Sequence, residues 1–94
     1  MRFEWDPRKD ALNRRKHRVS FEEACTVFFD DHAVLYDDPD HSVGEDRFLL
    51  LGVSSRLRVL VVVHCLRESG EVIRIVSARR ATRQERREYP GGVS

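Results

Sequence analysis

The chain has 94 residues, of which 40% are apolar and 35% charged, with a formal net charge of +1 at pH 7. This length suits one domain with one hydrophobic core, and the composition excludes a disordered or membrane-spanning chain. The first ten residues lack the apolar stretch of a secretory signal, so we expect a cytoplasmic protein. Its two cysteines match no zinc spacing, and we expect both to be reduced.

Charge is segregated along the chain although the total is close to zero. Residues 1–19 hold seven basic and three acidic side chains, and residues 20–46 hold nine acids without a lysine or arginine. Residues 47–94 hold ten basic and four acidic groups. Blocks of this kind give one surface a positive field, for which a polyanion is the natural partner.

The first third of the chain predicts a short strand and two helices. "RFEW" is typical of a strand, and Asp6 followed by Pro7 is a helix start, with an N-cap acceptor and a proline where no N–H is needed. This helix is predicted to end near His17. Ser20 and Glu23 have the capping-box spacing, which predicts that a second helix starts there.

The rest of the chain predicts four strands and a last helix. "AVLYDD" is a short strand, and three aliphatic strands follow: "RFLLLGVSS", "LRVLVVVHCL" and "EVIRIVSAR". Polar turns at 54–56 and 68–70 predict that these three are antiparallel neighbours. Thr82 and Glu85 form another capping box, which predicts a helix ending near Tyr89.

This order, β-α-α-β-β-β-β-α, predicts an α+β fold. We expect an antiparallel meander with the N-terminal helices packed on one face and a short C-terminal helix, while the other face stays partly open. Residues 1–94 then form a single domain, in which residues 90–94 are a loose tail.

The loop at 68–70 decides which side chains share a face. A three-residue loop with a left-handed glycine would place His64 across from Arg74, and Arg58 across from Arg80, on the open face. A two-residue loop is the alternative, and it would turn His64 to the apolar face. We favour the three-residue loop, because it separates purely apolar rows from rows that carry charge.

An imidazole beside guanidinium groups is suited to phosphodiester chemistry. Arg74 and Arg80 would hold a phosphate and stabilise the charge that grows on it, while His64 would move a proton near neutral pH. Arg79 and Tyr89 would reach the same site from its rim. Because RNA supplies its own nucleophile, the 2′-hydroxyl, we expect neither a metal ion nor a cofactor.

Other interpretations of these residues stay open. A histidine on a strand is often structural, and the five arginines between Arg79 and Arg87 are also suited to ordinary surface pairs. The chain would then be a non-catalytic nucleic-acid-binding module or operon co-regulator, or an interaction protein that receives an acidic partner segment.

The acidic stretch "YDDPDHSVGED" offers oxygen ligands for a cation. Its spacing matches no loop motif, however, so we expect no metal site but a solvated loop that could also dock a basic partner. The residues concerned are Asp37, Asp38, Asp40, His41, Glu45 and Asp46.

Three long segments carry a family resemblance. "FEWDPRKDALNRRKHRVSFEEACTVF", "DDPDHSVGEDRFLLLGVSSRLRVLVVVH" and "VIRIVSARRATRQERREY" resemble BrnT-type toxins of bacterial type II toxin–antitoxin modules. The resemblance runs from Phe3 to Tyr89, and its most specific parts are "KH-x-VSFEEA" and "RI-x-SARRAT-x-x-ER-x-x-Y".

The resemblance implies a RelE-like fold and a metal-independent ribonuclease that inhibits translation. It also implies a BrnA-type antitoxin that forms a hetero-oligomer with the chain, and that helps the complex bind its own promoter DNA. A membrane partner is not expected.

The resemblance, with the facing argument for His64, also assigns functional residues. The predicted catalytic group is His64, Arg74, Arg79, Arg80 and Tyr89. The predicted RNA contacts are Lys16 and His17, which come from the resemblance, and Arg83, Arg86 and Arg87, which come from the arginine-rich stretch at the start of the last helix. The chain departs from the family at Arg18, where relatives usually have a glycine, the residue that suits a left-handed helix end.

Overall fold

The computed structural model describes residues 1–38 and 46–91. Its strands are β1 (Arg2–Glu4), β2 (Val34–Asp37), β3 (Arg47–Val53), β4 (Val59–Arg67) and β5 (Val72–Arg80), and its helices are α1 (Pro7–His17), α2 (Phe21–Thr26) and α3 (Arg83–Glu88). Short 3₁₀ turns occupy Val27–Phe29 and Glu68–Gly70. The α+β prediction is confirmed. Residues 39–45 of the predicted acidic loop and residues 92–94 of the predicted tail at 90–94 lie outside the described residues.

All three helices begin at the capping residues that the sequence predicted. The Asp6 carboxylate accepts a hydrogen bond from the N–H of Arg8 at 2.9 Å, and the Ser20 hydroxyl accepts one from the N–H of Glu23 at 3.0 Å. Thr82 and the residue three positions later form a complete capping box. These side chains satisfy N–H groups that have no partner within the helix.

The five strands form one sheet in the order β1-β5-β4-β3-β2. The strands β2 to β5 make the predicted antiparallel meander. The first strand lies parallel to β5, with Arg2 opposite Val72 and Glu4 opposite Arg74. The position of β1 in the sheet has no local signal in the sequence, because its parallel partner lies about 70 residues away in the chain.

The strands β4 and β5 pair antiparallel as predicted, but the predicted register is wrong. Arg67 pairs with Val72, so four residues separate the two strands instead of three. Glu68 and Ser69 join Gly70 in left-handed conformations, with φ values of 51°, 57° and 90°, which makes room for the extra residue. The predicted glycine conformation is therefore confirmed, but the loop length is not.

A β-bulge at Val76 shifts the pairing a second time. His64 pairs with Ile75 whereas Val63 pairs with Ser77, so Val76 has no residue opposite it. The predicted pairs of His64 with Arg74 and of Arg58 with Arg80 are both absent from the ladder that the structure describes.

The pairing buries a different row of β4 than the sequence predicted. Leu60 and Val62, with Ile75 of β5, pack under the helices in the main core, whereas the row containing Val61 faces the other way. That second face has a smaller apolar cluster, to which both Val61 and Tyr89 belong. Both rows of β4 are apolar because α3 and the segment after it cover part of the second face.

An ion pair joins α2 to the turn between β3 and β4. Glu23 accepts hydrogen bonds from Ser54 Oγ at 2.6 Å and from two nitrogens of Arg58, one of them at 3.0 Å. Burial opposes the ionisation of Glu23, but these hydrogen bonds outweigh it and hold its pKa below the ordinary value. Arg58 also donates to the carbonyl of Arg18 at 3.0 Å, which ties the end of α1 to the same network.

Both cysteines are free thiols, as predicted. Cys65 is buried and Cys25 is half-buried. Burial raises the pKa of Cys25 to about 11, so it stays protonated and unreactive at neutral pH. None of the helices in the described ranges has the length and apolar character needed to cross a bilayer.

Replacement of Arg18 by glycine is expected to stabilise the chain. Arg18 ends α1 in the left-handed conformation, with φ 60° and ψ 31°, and its N–H donates to the carbonyl of Arg14. A Cβ atom is crowded in this conformation, so Arg18→Gly should raise the free energy of unfolding by about 1 kcal/mol. Urea unfolding measures this difference. Arg18→Ala is the control, because it removes the charge but keeps the Cβ; an equal gain from both variants would contradict the backbone explanation.

Candidate functional site

One buried amide fixes α1 beside β5. Asn13 Nδ2 donates to the carbonyls of Val19 and Ala78, each at 2.8 Å, and Asn13 Oδ1 accepts from the N–H of Ala78 at 3.1 Å. Asn13 thus satisfies both the N–H and the carbonyl of Ala78. These groups lie on the outer edge of β5, past the point where β1 stops pairing with this strand. The helix therefore lies along this edge, where a further strand would otherwise pair.

A cavity of about 490 Å³ lies between α1 and β5. We call it the α1–β5 groove. Its lining residues are Lys9, Leu12, Asn13, Arg15, Lys16, His17, Val76 and Ser77. Three of these side chains are cationic and one is an imidazole, and no carboxylate belongs to this set. The β5 side of the groove is formed by the bulge residue Val76 and its neighbour.

Helical spacing explains why these residues share one surface. Lys9, Leu12 and Lys16 are three and four residues apart, and Asn13 and His17 form the adjacent row. The amide at Asn13 turns this face of α1 toward β5. The resemblance led to the prediction of Lys16 and His17, whereas Lys9 was missed, although its spacing from Lys16 could have revealed it.

The predicted catalytic Arg79 is held by a carboxylate. Its guanidinium donates to both carboxylate oxygens of Glu85, at 2.7 and 2.9 Å. The hydrogen bonds from Arg79 are the main reason that the pKa of Glu85 falls to about 2. Arg79 lies opposite Val61 and so faces the second side of the sheet, away from α1. The carboxylate of Glu85 largely compensates the positive charge of Arg79.

The other two predicted strand arginines lie in different surroundings. Arg74 donates to Glu4 at 2.9 Å, and Arg67 lies 3.5 Å from the same carboxylate. Arg80 lies opposite Leu60, on the helix side of the sheet, and is exposed. The predicted gathering of the three guanidiniums at one point is wrong, because the bulge between Arg74 and Arg80 places these two even-numbered residues on opposite faces of the sheet.

His64 lies in the core rather than on an open face. It is 2% exposed, and its ring packs against Phe28 and Phe48, with ring centroids 4.8 and 5.9 Å apart. Burial lowers the pKa of His64, and a contact with the carbonyl of Val62 only partly opposes this. The ring is therefore neutral at pH 7. His64 faces the opposite side of the sheet from Arg74, and it lies four positions along β4 from Leu60, the residue opposite Arg80, so the predicted partnership with these arginines is wrong.

Tyr89 connects the segment after α3 to the residue that follows the 3₁₀ turn Val27–Phe29. Its hydroxyl donates to Asp30 Oδ2 at 2.6 Å, and the same oxygen accepts the N–H of Val53 at 2.8 Å. Burial and the carboxylate together raise the pKa of Tyr89 to about 12. The phenol stays protonated at neutral pH, which suits a structural hydrogen bond better than proton transfer.

A close approach at β3 allows the Asp30 contact. A Cβ atom on Gly52 would lie 2.9 Å from Val27 Cγ1 and 3.0 Å from Asp30 Oδ2. Glycine at this position lets the turn Val27–Phe29 pack directly against β3. The carboxylate of Asp30 can then accept the N–H of Val53.

The arginines of α3 lie apart from the α1–β5 groove. Arg83, Arg86 and Arg87 are all exposed, whereas Glu85 on the same helix is half-buried. Their predicted contacts with RNA thus stay a prediction. Within residues 1–38 and 46–91, no group of three or more potential metal ligands is present. Asp40, His41 and Glu45 of the considered cation site lie outside the described residues.

The hydrogen bond between Tyr89 and Asp30 can be tested by a double-mutant cycle. Tyr89→Phe removes the donor to a carboxylate and should lower the free energy of unfolding by about 2 kcal/mol. In a chain that already carries Asp30→Asn, Tyr89→Phe should lower the free energy of unfolding by at least about 1 kcal/mol less than it does in the wild type. Chemical denaturation measures all four proteins, with Tyr36→Phe as the matched control. Additive effects would mean that the two side chains do not interact.

The pair of Arg79 and Glu85 predicts a component of acid sensitivity. Because the pKa of Glu85 falls from 4.5 to about 2 on folding, its contribution to stability is complete above pH 4.5 and is lost as the pH falls toward 2. Glu85→Gln should remove on the order of 1 kcal/mol of this pH dependence, a value kept small because the pair is partly exposed. Urea unfolding between pH 3 and 7 measures it. Glutamine is chosen because it retains the capping-box geometry. If the free energy of unfolding of Glu85→Gln depended on pH as strongly as that of the wild type, the pairing with Arg79 would be contradicted.

Comparison with known proteins places the chain in a family. A search of curated proteins found no match. The sequence model of a family described as "Ribonuclease toxin, BrnT, of type II toxin-antitoxin system" matches residues 5–85. This range contains every residue that lines the α1–β5 groove, whereas Tyr89 lies beyond it. The chain belongs to the BrnT family of ribonuclease toxins of type II toxin–antitoxin systems.

Proposed function

We propose that the chain is an endoribonuclease that cleaves RNA through the 2′-hydroxyl without a metal ion, and that the α1–β5 groove is its RNA site. The observation that carries the proposal is the composition of the groove: three cations and an imidazole without a carboxylate among its lining residues. Such a surface attracts a polyanion and lets a histidine reach the phosphate.

The cations of the groove are spaced to follow an RNA backbone. Lys9 and Lys16 are seven residues apart, which is about 10 Å along a helix axis, so they would contact different phosphates. Leu12 lies between them in sequence and is 60% exposed. Its side chain would pack on a base or ribose, and single-stranded RNA makes its bases available for such contacts.

The proposed reaction needs two proton transfers. The 2′-oxygen attacks the adjacent phosphorus while His17 takes its proton. The bond from phosphorus to the 5′-oxygen then breaks, and the imidazolium returns the proton to that oxygen. The products are a 2′,3′-cyclic phosphate and a 5′-hydroxyl. Arg15 and Lys16 would stabilise the extra negative charge on the phosphorane between these steps.

The remaining predicted residues take different parts in this proposal. Arg80 lies two positions beyond Ala78, on the same side of β5 and about 7 Å further along the strand. Being exposed, it would extend the phosphate-binding surface. Arg74 and Arg79 are assigned structural parts, since each is already bound to a carboxylate. The arginines of α3 would add a general positive field that attracts RNA.

The biological consequence follows from the substrate. Cleavage of cellular RNA would inhibit translation in the cytoplasm. The family implies an antitoxin. We assign that part to a BrnA-type protein in a hetero-oligomer with the chain, and contact with promoter DNA to this complex.

The chemical step is tested with antitoxin-free protein, an RNA oligonucleotide and excess chelator. His17→Ala should lower kcat at least about 100-fold with little change in RNA affinity, because it removes proton transfer alone. Lys16→Ala should weaken RNA affinity several-fold and reduce its salt dependence. The control is Arg56→Ala, an exposed cation in the turn between β3 and β4. Product ends are identified by mass spectrometry.

Two outcomes would overturn the proposal. Cleavage of an oligonucleotide that has a 2′-deoxy nucleotide at the scissile position would exclude the 2′-hydroxyl as nucleophile. Salt-dependent binding by folded protein without any strand scission would favour the non-catalytic nucleic-acid-binding alternative.

A further inference from the structure

A second cavity, of about 270 Å³, lies on the face of the sheet opposite the main core. We call it the α3–β2 cleft. Its lining residues are Tyr36, Asp37, Leu49, Leu51, Val61, Glu85 and Glu88. The set combines apolar side chains with three carboxylates and includes no lysine or arginine, so its chemistry is the reverse of that of the α1–β5 groove.

The floor of the cleft is an apolar strip across three strands. Tyr36 of β2 lies directly opposite Leu49 of β3, and Leu51 of β3 lies directly opposite Val61 of β4. Leu51 and Val61 belong to the second apolar cluster, where they are 2% and 4% exposed, and Leu49 is half-buried. The strip is therefore a pre-formed contact surface for another apolar side chain.

The rim of the cleft is acidic on two sides. Asp37 lies on β2, and Glu85 and Glu88 lie one helical turn apart on α3. Arg79 already compensates Glu85, whereas Asp37 and Glu88 are exposed. These two carboxylates are available to bind cations that approach from solvent.

The volume and charge of the cleft restrict what it accepts. The three carboxylates of the lining disfavour RNA as an occupant, because they would repel its phosphates. Small-molecule sites usually have volumes of about 300–1,000 Å³, so this cleft suits an inserted side chain better than a metabolite. An apolar side chain flanked by lysines or arginines would fill the floor and pair with the rim.

We propose that the α3–β2 cleft is the docking site of the antitoxin, and that it receives a segment with an apolar anchor residue between basic residues. The identity of the partner rests on the proposed function, whereas the chemistry of the segment comes from the cleft. The sheet order separates the cleft, on β2 to β4, from the groove along β5. Docking of the anchor therefore leaves the groove open, and neutralisation requires a further part of the antitoxin to cover it.

Charge reversal at the exposed rim tests the proposal. The probe is the purified protein encoded by the adjacent reading frame, and its affinity for the chain is measured by calorimetry at low and high salt. Asp37→Lys with Glu88→Lys should weaken this affinity at least about 10-fold at low salt. Affinity for RNA should stay the same or rise. The matched control is Glu22→Lys with Glu71→Lys, which makes the same change in net charge at two exposed sites elsewhere.

The outcomes separate this inference from the proposed function. The docking site is supported if the wild-type chain and the control double variant bind the probe with equal affinity while the rim double variant binds it more weakly. Equal loss in both double variants, or no loss in either, overturns it and leaves the ribonuclease proposal intact. Failure of the folded wild-type chain to bind the probe overturns the proposed antitoxin and the docking site together. Circular dichroism verifies that each variant is folded.

Discussion

The amide of Asn13 is the interaction on which the arrangement of the candidate site depends. An amide carries a donor and an acceptor on one planar group, so it can pair with the N–H and the carbonyl of Ala78 at once. Aspartate lacks the donor and leucine lacks both, and either would leave main-chain groups buried without partners, at about 1–3 kcal/mol for each group. β1 protects the first half of the outer edge of β5, and Asn13 protects the second half. The same contact that closes this edge also fixes the distance between the basic face of α1 and the strand.

The near-zero net charge arises because a basic surface and an acidic surface compensate each other. The basic N-terminal block forms α1 and supplies the cations of the α1–β5 groove, whereas acids from β2 and α3 form the rim of the α3–β2 cleft. The concentration of arginines after Ile75 serves several purposes at once. Arg79 holds Glu85 and so stabilises the first turn of α3, while Arg80 stays exposed on the side of the groove. These two charge patterns lie on different parts of the sheet, because the groove follows β5 and the cleft crosses β2 to β4.

What the sequence could predict was set by the range of the interactions. The helix starts at Asp6, Ser20 and Thr82 depend on residues no more than three positions away, and all three predictions are confirmed. Strand pairing depends on the loop at 68–71 and on the bulge, neither of which has a distinctive local pattern. Both rows of β4 are apolar, so composition could not reveal which row lies under the helices. Asn13 contacts a strand 65 residues away, and nothing near it in the sequence signals that role.

The bulge at Val76 also affects how related chains should be compared. Before it, odd-numbered residues of β5 face the helices; after it, even-numbered residues do. A gap placed elsewhere in this strand would exchange buried and solvent-facing positions and assign a guanidinium to the hydrophobic interior. Insertions and deletions in β5 are therefore physically acceptable at this irregularity, where one residue can be gained or lost while the flanking ladders keep their faces. Homologues in which the strand is one residue shorter should then be regular there, and the residue that takes the place of Arg79 should be identified from its carboxylate partner rather than from its position.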